Sequence, residues 1–200
     1  MPFFPTDPVG LPGLIALGLG FVLFAIALIA ARARAKRGEK VANSGTAPAS
    51  WIWIVVQGIA IGFAGFGRLT VKLDPLSAKA IVEAIVVMAL MASAVGLFYA
   101  SSRAMGKNWA LVARTRSDHT LVQNGPFAWV RHPIYVALFL FLVAMAIAYG
   151  HTRNLIVAVP LYALATGMRV RYEERLLHAQ FGADYDAYAL RVRRFIPGVF

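Results

Sequence analysis

Past residue 100, most of the polar, aromatic and ionisable residues of this 200-residue chain fall in two blocks. The first holds Gly106-Lys107-Asn108-Trp109, then His119-Thr120-Leu121-Val122, then Gly125-Pro126-Phe127-Ala128-Trp129-Val130-Arg131-His132-Pro133-Ile134-Tyr135. Proline is well placed to open a helix at Pro133. Cations beside a helix N-terminus oppose its dipole, so Arg131, His132 and the open N–H groups of the first turn together suit an anion. The competing reading has Arg131 reaching lipid phosphate while Pro133 merely starts a helix. Both stand on the residues alone.

The second block runs Arg169-Val170-Arg171-Tyr172-Glu173-Glu174 to Phe181-Gly182-Ala183-Asp184-Tyr185-Asp186-Ala187-Tyr188. Arg169–Glu173 and Arg171–Glu174 have the spacing of surface helix pairs, each worth about 0.2–0.5 kcal/mol. On that reading the acidic pair lies on a solvated face. Glycine at Gly182 predicts a helix stop. Beyond it, Tyr185, Tyr188, Val192 and Phe195 fall on one helical face, with Arg191, Arg193 and Arg194 off it. Such a stretch lies on headgroups or closes over a ligand.

These blocks need elements to hold them, and the composition says what kind. The chain is 60% apolar and 14% charged, with mean hydropathy +0.67. A soluble domain carries about 25% charged residues, so lipid must cover much of this surface. There are no cysteines, which excludes disulfides and thiolate chemistry. His119, His132, His151 and His178 show no metal-ligand spacing, and no metal site is expected. The net charge of +11 sits at the ends of apolar runs, where it meets membrane headgroups rather than nucleic acid.

The first apolar run, about Leu11–Ala31, is long enough to cross a bilayer. Nothing basic precedes it, so it reads as a retained span rather than a cleaved signal. Asn43–Ser50 reads as a linker. A second run covers Trp51–Gly67 and includes Gly58-x-x-x-Gly62, a spacing that permits close helix approach. Asp74-Pro75 predicts a cap and first position for a third helix extending to about Met105, with Glu83 near its outer end. Pro133–Tyr149 and Leu155–Met168 follow, joined by a five-residue turn, and predict a short hairpin kinked at Pro160.

The expected fold is thus an all-α integral membrane protein with five membrane-embedded helices and a cytoplasmic C-terminal helical cap. Residues 1–100 supply the first three helices and 101–200 the chemistry. Five spans put sixteen Lys and Arg residues on one side and only Arg68, Lys72, Lys79 and Arg153 on the other. The positive-inside rule then places the N-terminus outside and the C-terminus in the cytoplasm. Both polar blocks share that cytoplasmic face. An alanine- and arginine-rich chain of this kind suits a prokaryotic inner membrane.

Gly-Pro-Phe-x-x-x-Arg-His-Pro-x-Tyr at 125–135, Glu-Glu at 173–174, Phe-Gly-x-x-Tyr-x-x-Tyr at 181–188 and Arg-Phe-Ile-Pro at 194–197 together resemble the isoprenylcysteine carboxyl methyltransferase family. The wider phospholipid methyltransferase group shares some of these elements. The resemblance covers about residues 101–197. It implies an S-adenosylmethionine pocket at the cytoplasmic ends of the last three spans, capped by the C-terminal segment. His119, Thr120, Leu121 and Val122 would line the adenosine side. Phe127 stands where the family often has tyrosine. His132, Pro133, Ile134 and Tyr135 would meet the cofactor's amino-acid end, with Glu173 or Glu174 holding its ammonium, and Arg131 and Arg169 would face the substrate. Val136-Ala137 replaces the family's usual x-Gly and is expected to narrow the lipid-side entrance.

The resemblance therefore implies methyl transfer to a lipid-tethered or lipophilic acceptor, with Arg131, Glu173 and Glu174 as the catalytic set. No nucleic-acid or obligate protein partner is implied. A phospholipid or small thiol is an alternative acceptor. A sterol-type reductase using NADPH is an alternative of another class, which Gly-Pro-Phe and Glu-Glu disfavour.

Overall fold

The computed structural model describes residues 5–36, 45–46, 49–109, 114–115 and 120–199. Among them the chain is helical apart from a two-residue antiparallel pairing of β1 (Gly45–Thr46) with β2 (Arg114–Thr115). The helices are α1 (Leu11–Lys36), α2 (Ala49–Ala64), α3 (Ala78–Met105), α4 (Pro133–Ala148), α5 (Leu155–Phe181) and α6 (Ala183–Arg191). Short 3-10 turns sit at Gly106–Asn108, Gly125–Ala128 and Thr152–Asn154.

Leu11–Lys36 and Ala78–Asn108 are long and apolar enough to cross a membrane. Their outward faces expose large apolar side chains, among them Leu19, Phe21, Ile29, Val82, Ile85 and Met88. Contiguous apolar surface of that extent suits lipid rather than water. The chain is an integral membrane protein.

Small residues let α1 and α3 lie close together. The buried positions of α1 (Gly13, Leu17, Gly20, Ala27, Ala31, Ala35) fall three, four or seven residues apart and form one stripe. A Cβ on Gly13 would collide with Glu83, and one on Gly20 with Met91. These pairings, and the Arg34 Nη2 bond to Ser102 Oγ (3.0 Å), show that the two helices run parallel. Dispersion and close backbone approach take the place of the hydrophobic effect in lipid. The other glycine spacing behaves differently: nothing lies near either Gly58 or Gly62, so that motif makes no close helix contact among the described residues.

Two expectations about element ends need correction. Helix α3 is capped by Ser77, whose Oγ accepts from the Ala80 amide (3.3 Å), and not by Asp74. Asp74 Oδ1 instead accepts from the Leu76 amide (2.8 Å) and builds the preceding turn. The hairpin is also looser than expected. Helix α4 packs along α3, whereas α5 packs along α2, so the two arms splay apart and touch through side chains such as Tyr162 and Phe139. Ala137 is fully buried against Ala27, Ala31, Phe98 and Trp109. It faces α1 and α3, away from the gap between α4 and α5, and does not narrow an entrance there.

The turn before α5 is locked to the N-terminal segment. The Asp7 amide donates to Gly150 O (2.9 Å), Gly150 has φ +71°, and any Cβ there would run into the Asp7 carbonyl. Asn154 Nδ2 donates to the carbonyls of Phe63 (2.9 Å) and Phe66 (2.8 Å), closing the end of α2. All the polar residues of interest therefore gather at the opposite end, where α1, α3 and α5 finish and α4 begins.

Candidate active site

Residues 192–196 form a strap that lies against residues 130–132. The Arg131 and His132 amides donate to the carbonyls of Arg193 (2.8 Å) and Arg194 (3.0 Å), with a parallel bridge between Val130 and Arg193. Those N–H groups are thus committed to the chain itself. The anion that the Arg131-His132-Pro133 corner receives is internal: the carboxylate of Glu174.

Glu174 sits among three basic side chains. Arg194 Nη2 donates to Oε2 at 2.6 Å and its Nε to Oε1 at 3.0 Å. Arg131 Nη2 donates to Oε1 at 3.1 Å, and His132 Nε2 lies 3.2 Å from the same oxygen. Burial pushes the Glu174 carboxyl up, but the His132 and Arg194 hydrogen bonds and the nearby charges outweigh it and hold it well below the usual carboxylate range. The same bond raises the Arg194 guanidinium. Arg131 is engaged further, since its Nη1 donates to the carbonyls of Ala189 (2.6 Å) and Val192 (2.7 Å) at the end of α6. Its planar fork ties α5, α6 and the strap together.

Glu173, one residue earlier and about 100° round the helix, faces another way. Its Oε1 accepts a hydrogen bond from Tyr135 Oη. Arg169 Nη2 is 3.8 Å away, and His132 Nδ1 is 3.7 Å from Oε2. The side chain is 25% exposed, against 14% for Glu174. Neither glutamate lies on a solvated face, and Arg171 is not among the hydrogen-bond or ion-pair partners of Glu174.

A cavity of about 300 Å³ opens beside Glu173. Thr120, Leu121, Val122, Phe127, Arg131, His132, Pro133, Ile134, Tyr135, Arg169 and Glu173 all line it. Glu174 does not, and His119 lies outside the described residues. Tyr185 and Tyr188 of α6 close the wall. Tyr188 Oη donates to Phe127 O (2.7 Å), which fixes the cap to the 3-10 turn, and burial pushes that phenol up to about 12. Helix α6 ends at Arg191 and Val192 is extended, so the expected single helical face stops after Tyr188. A second cavity of about 540 Å³ lies across Tyr135, between α4, α5 and the strap. Val136, Phe139, Val159, Ala163 and Ile196 give it apolar walls, and Arg171 and Arg194 are its cationic residues.

Some contributors escaped the sequence reading. Phe24 and Leu28 of α1 and Phe98 of α3 form the apolar floor of the first cavity. Asn108 also lines it: Nδ2 donates to Thr120 O (3.2 Å) and Oγ1 (3.0 Å), while its buried Oδ1 has no partner. Gln57 of α2, 3% exposed, bonds Arg169. A lone amide in an apolar run was the available clue, because such groups are costly in lipid. Among the described residues no cluster could hold a metal ion.

A site of this kind can bind a zwitterion. It offers a carboxylate, guanidinium groups, aromatic walls and an unpaired acceptor around one cavity. Comparison with known proteins identifies the likeness. Residues 84–179 match the isoprenylcysteine carboxyl methyltransferase (ICMT) family, and the resemblance seen in the motifs is borne out. Protein-S-isoprenylcysteine O-methyltransferase of Tribolium castaneum is 36% identical over 85 residues, covering 40% of this chain and 29% of that protein. The protein of the same name from Saccharomyces cerevisiae is 29% identical over 94 residues, covering 46% and 39%. A nickel-cobalt-cadmium resistance protein, NccN, of Alcaligenes xylosoxydans xylosoxydans is 33% identical over 105 residues, covering 52% and 48%. The chain spans less than half the length of each of these relatives.

Proposed function

We propose that this protein is a membrane-embedded methyltransferase of the isoprenylcysteine carboxyl type, using S-adenosylmethionine to methylate a carboxylate on a lipid-tethered or lipophilic acceptor. The observation that carries it is the gathering of Thr120–Val122, Phe127, His132–Tyr135 and Glu173 around one cavity, within the range of volumes that bind small molecules, about 300–1,000 Å³. The residues present suit the cofactor. Asn108 Oδ1 is a buried acceptor with no partner, apt for an adenosine N–H or hydroxyl. Phe127, Trp109 and Tyr188 offer flat walls, and Glu173 would hold the ammonium.

The bound cofactor supplies an electrophilic methyl group on a sulfonium. An acceptor carboxylate, with a reference pKa of about 3.3–3.7, is ionised at neutral pH, so the chain need provide no general base. Its residues exclude water and aim the acceptor oxygen. Arg169, buried and lying 5.1 Å over the Tyr135 ring, is the cation best placed to orient that carboxylate. Arg131 lines the cavity but spends its Nη groups on Ala189, Val192 and Glu174, and its contribution is to hold the cap. The second cavity, apolar and across Tyr135 from the first, would take the lipid tail. In this reading the chain crosses a prokaryotic inner membrane five times, with its N-terminus outside and the site on the cytoplasmic face.

The test uses purified protein, radiolabelled S-adenosylmethionine, and either an amine-blocked S-farnesylcysteine or total membrane extract. A base-labile methyl ester on a lipophilic product is expected. S-adenosylmethionine should also stabilise the fold by about 2.7 kcal/mol at a hundredfold excess over its dissociation constant. Stabilisation by NADPH alone would replace this reading with a reductase.

A further inference from the structure

Helix α2 lies wholly outside the segment that matches the family, yet it sends one polar side chain to the site. Gln57 is 3% exposed. Its Oε1 accepts from Arg169 Nη1 at 2.8 Å, and its Nε2 donates to Thr166 Oγ1 at 2.8 Å. The amide can point only one way. Arginine has donors and no acceptor, so the oxygen must face Arg169, and the nitrogen is then left to meet an acceptor, which the threonine hydroxyl supplies. Thr166 and Arg169 are three residues apart on α5 and so share a face. Gln57 therefore bridges two neighbouring points on α5 from a separate helix.

The bridge acts on a guanidinium that is itself 7% exposed. Arg169 also meets Glu173 at 3.8 Å and the Tyr135 ring, and Tyr162 Oη, about two turns earlier on α5, donates to Tyr135 O at 2.7 Å. We infer that Gln57 is a positioning residue: it holds the Arg169 guanidinium over Tyr135, at the boundary between the two cavities, in the orientation that an acceptor carboxylate requires. A neutral acceptor suits this role better than an aspartate or glutamate. It satisfies one N–H of Arg169 without adding a second carboxylate to the one that Glu173 already presents.

The inference rests on the reading of Arg169 as the acceptor-facing cation, and two experiments separate it from that reading. With amine-blocked S-farnesylcysteine as acceptor, Gln57→Leu should lower kcat/KM for the acceptor about tenfold while S-adenosylmethionine affinity stays within about twofold. Thr166→Val, which removes only the anchor of Nε2, should do the same more weakly. In an Arg169→Lys background Gln57→Leu should cost nothing further, because the effect runs through Arg169. Equal losses in both backgrounds would make Gln57 a packing residue and overturn the inference. The second experiment needs no acceptor. In protein carrying 15N-arginine, the Arg169 Nη resonances, identified by their loss in Arg169→Lys, should be held distinct in the parent and coalesce in Gln57→Leu as rotation is released. An unchanged spectrum overturns the inference even if methyl transfer is found. A parent protein that methylates nothing, but whose Arg169 signals collapse on substitution, refutes the proposed reaction and leaves the positioning intact.

Discussion

Arg194 grips Glu174 with two nitrogens, Nη2 on Oε2 at 2.6 Å and Nε on Oε1 at 3.0 Å. A fork-to-fork pair of this kind fixes orientation as well as distance. Because Arg194 belongs to the C-terminal strap and Glu174 to α5, the pair fastens the cover of the site to the helix that carries Glu173 and Arg169.

That fastening should depend on pH. The Glu174 carboxyl is held below its ordinary value, so its contribution to stability is full above the unfolded pKa of about 4.3 and is lost as pH falls through the folded value. Glu174→Gln should cost at least about 2 kcal/mol at pH 7, since it leaves the largely buried Arg131 guanidinium uncompensated. The gap between parent and variant should stay level from pH 7 to about 5 and narrow below about 4.3. Denaturation in detergent across that range measures it. A gap that widens on acidification would contradict the assignment.

The adjacent glutamates should separate cleanly. Glu173→Ala opens onto the cavity and is expected to weaken S-adenosylmethionine binding by about 1.5–3 kcal/mol, the worth of a charge-assisted hydrogen bond, with a smaller effect on thermal stability. Glu174→Ala should show the reverse order. Calorimetric titration and melting of both variants decide the matter, and the same pattern in both would dissolve the distinction.

Arg131→Lys keeps the charge but not the fork that reaches Ala189, Val192 and Glu174 together. Lysine offers a point charge in place of that planar array. The variant should lose about 1.5–3 kcal/mol of stability and expose the C-terminal strap to protease. Normal stability with reduced turnover would instead give Arg131 a direct role toward the acceptor.

At the far end of the molecule, Gly150→Ala should destabilise by about 1–3 kcal/mol, because φ is +71° and the new methyl group would meet the Asp7 carbonyl. Cofactor affinity measured on the folded fraction should not change. A shifted affinity would mean that the turn between α4 and α5 communicates with the site.

Much of this was legible in the residues themselves. Apolar runs read out as α1 to α5, since a run without charges has few alternatives in lipid but a helix. Pro133 and Gly182 marked a helix start and a helix stop through backbone geometry alone. On α4 and α5, local sequence sets which helix face His132–Tyr135 and Glu173 occupy, and those residues line one cavity. Partner choice was not legible. Whether Glu174 meets Arg171, three residues back on its own helix, or Arg194, twenty residues on, depends on where the strap folds back. Likewise the amide of Gln57 reads as an isolated polar residue until α2 is laid against α5. Side-chain spacing is a property of one helix, whereas the neighbours of a buried charge are decided by which helices pack together, and in lipid that choice rests on small differences in close packing that no single segment contains.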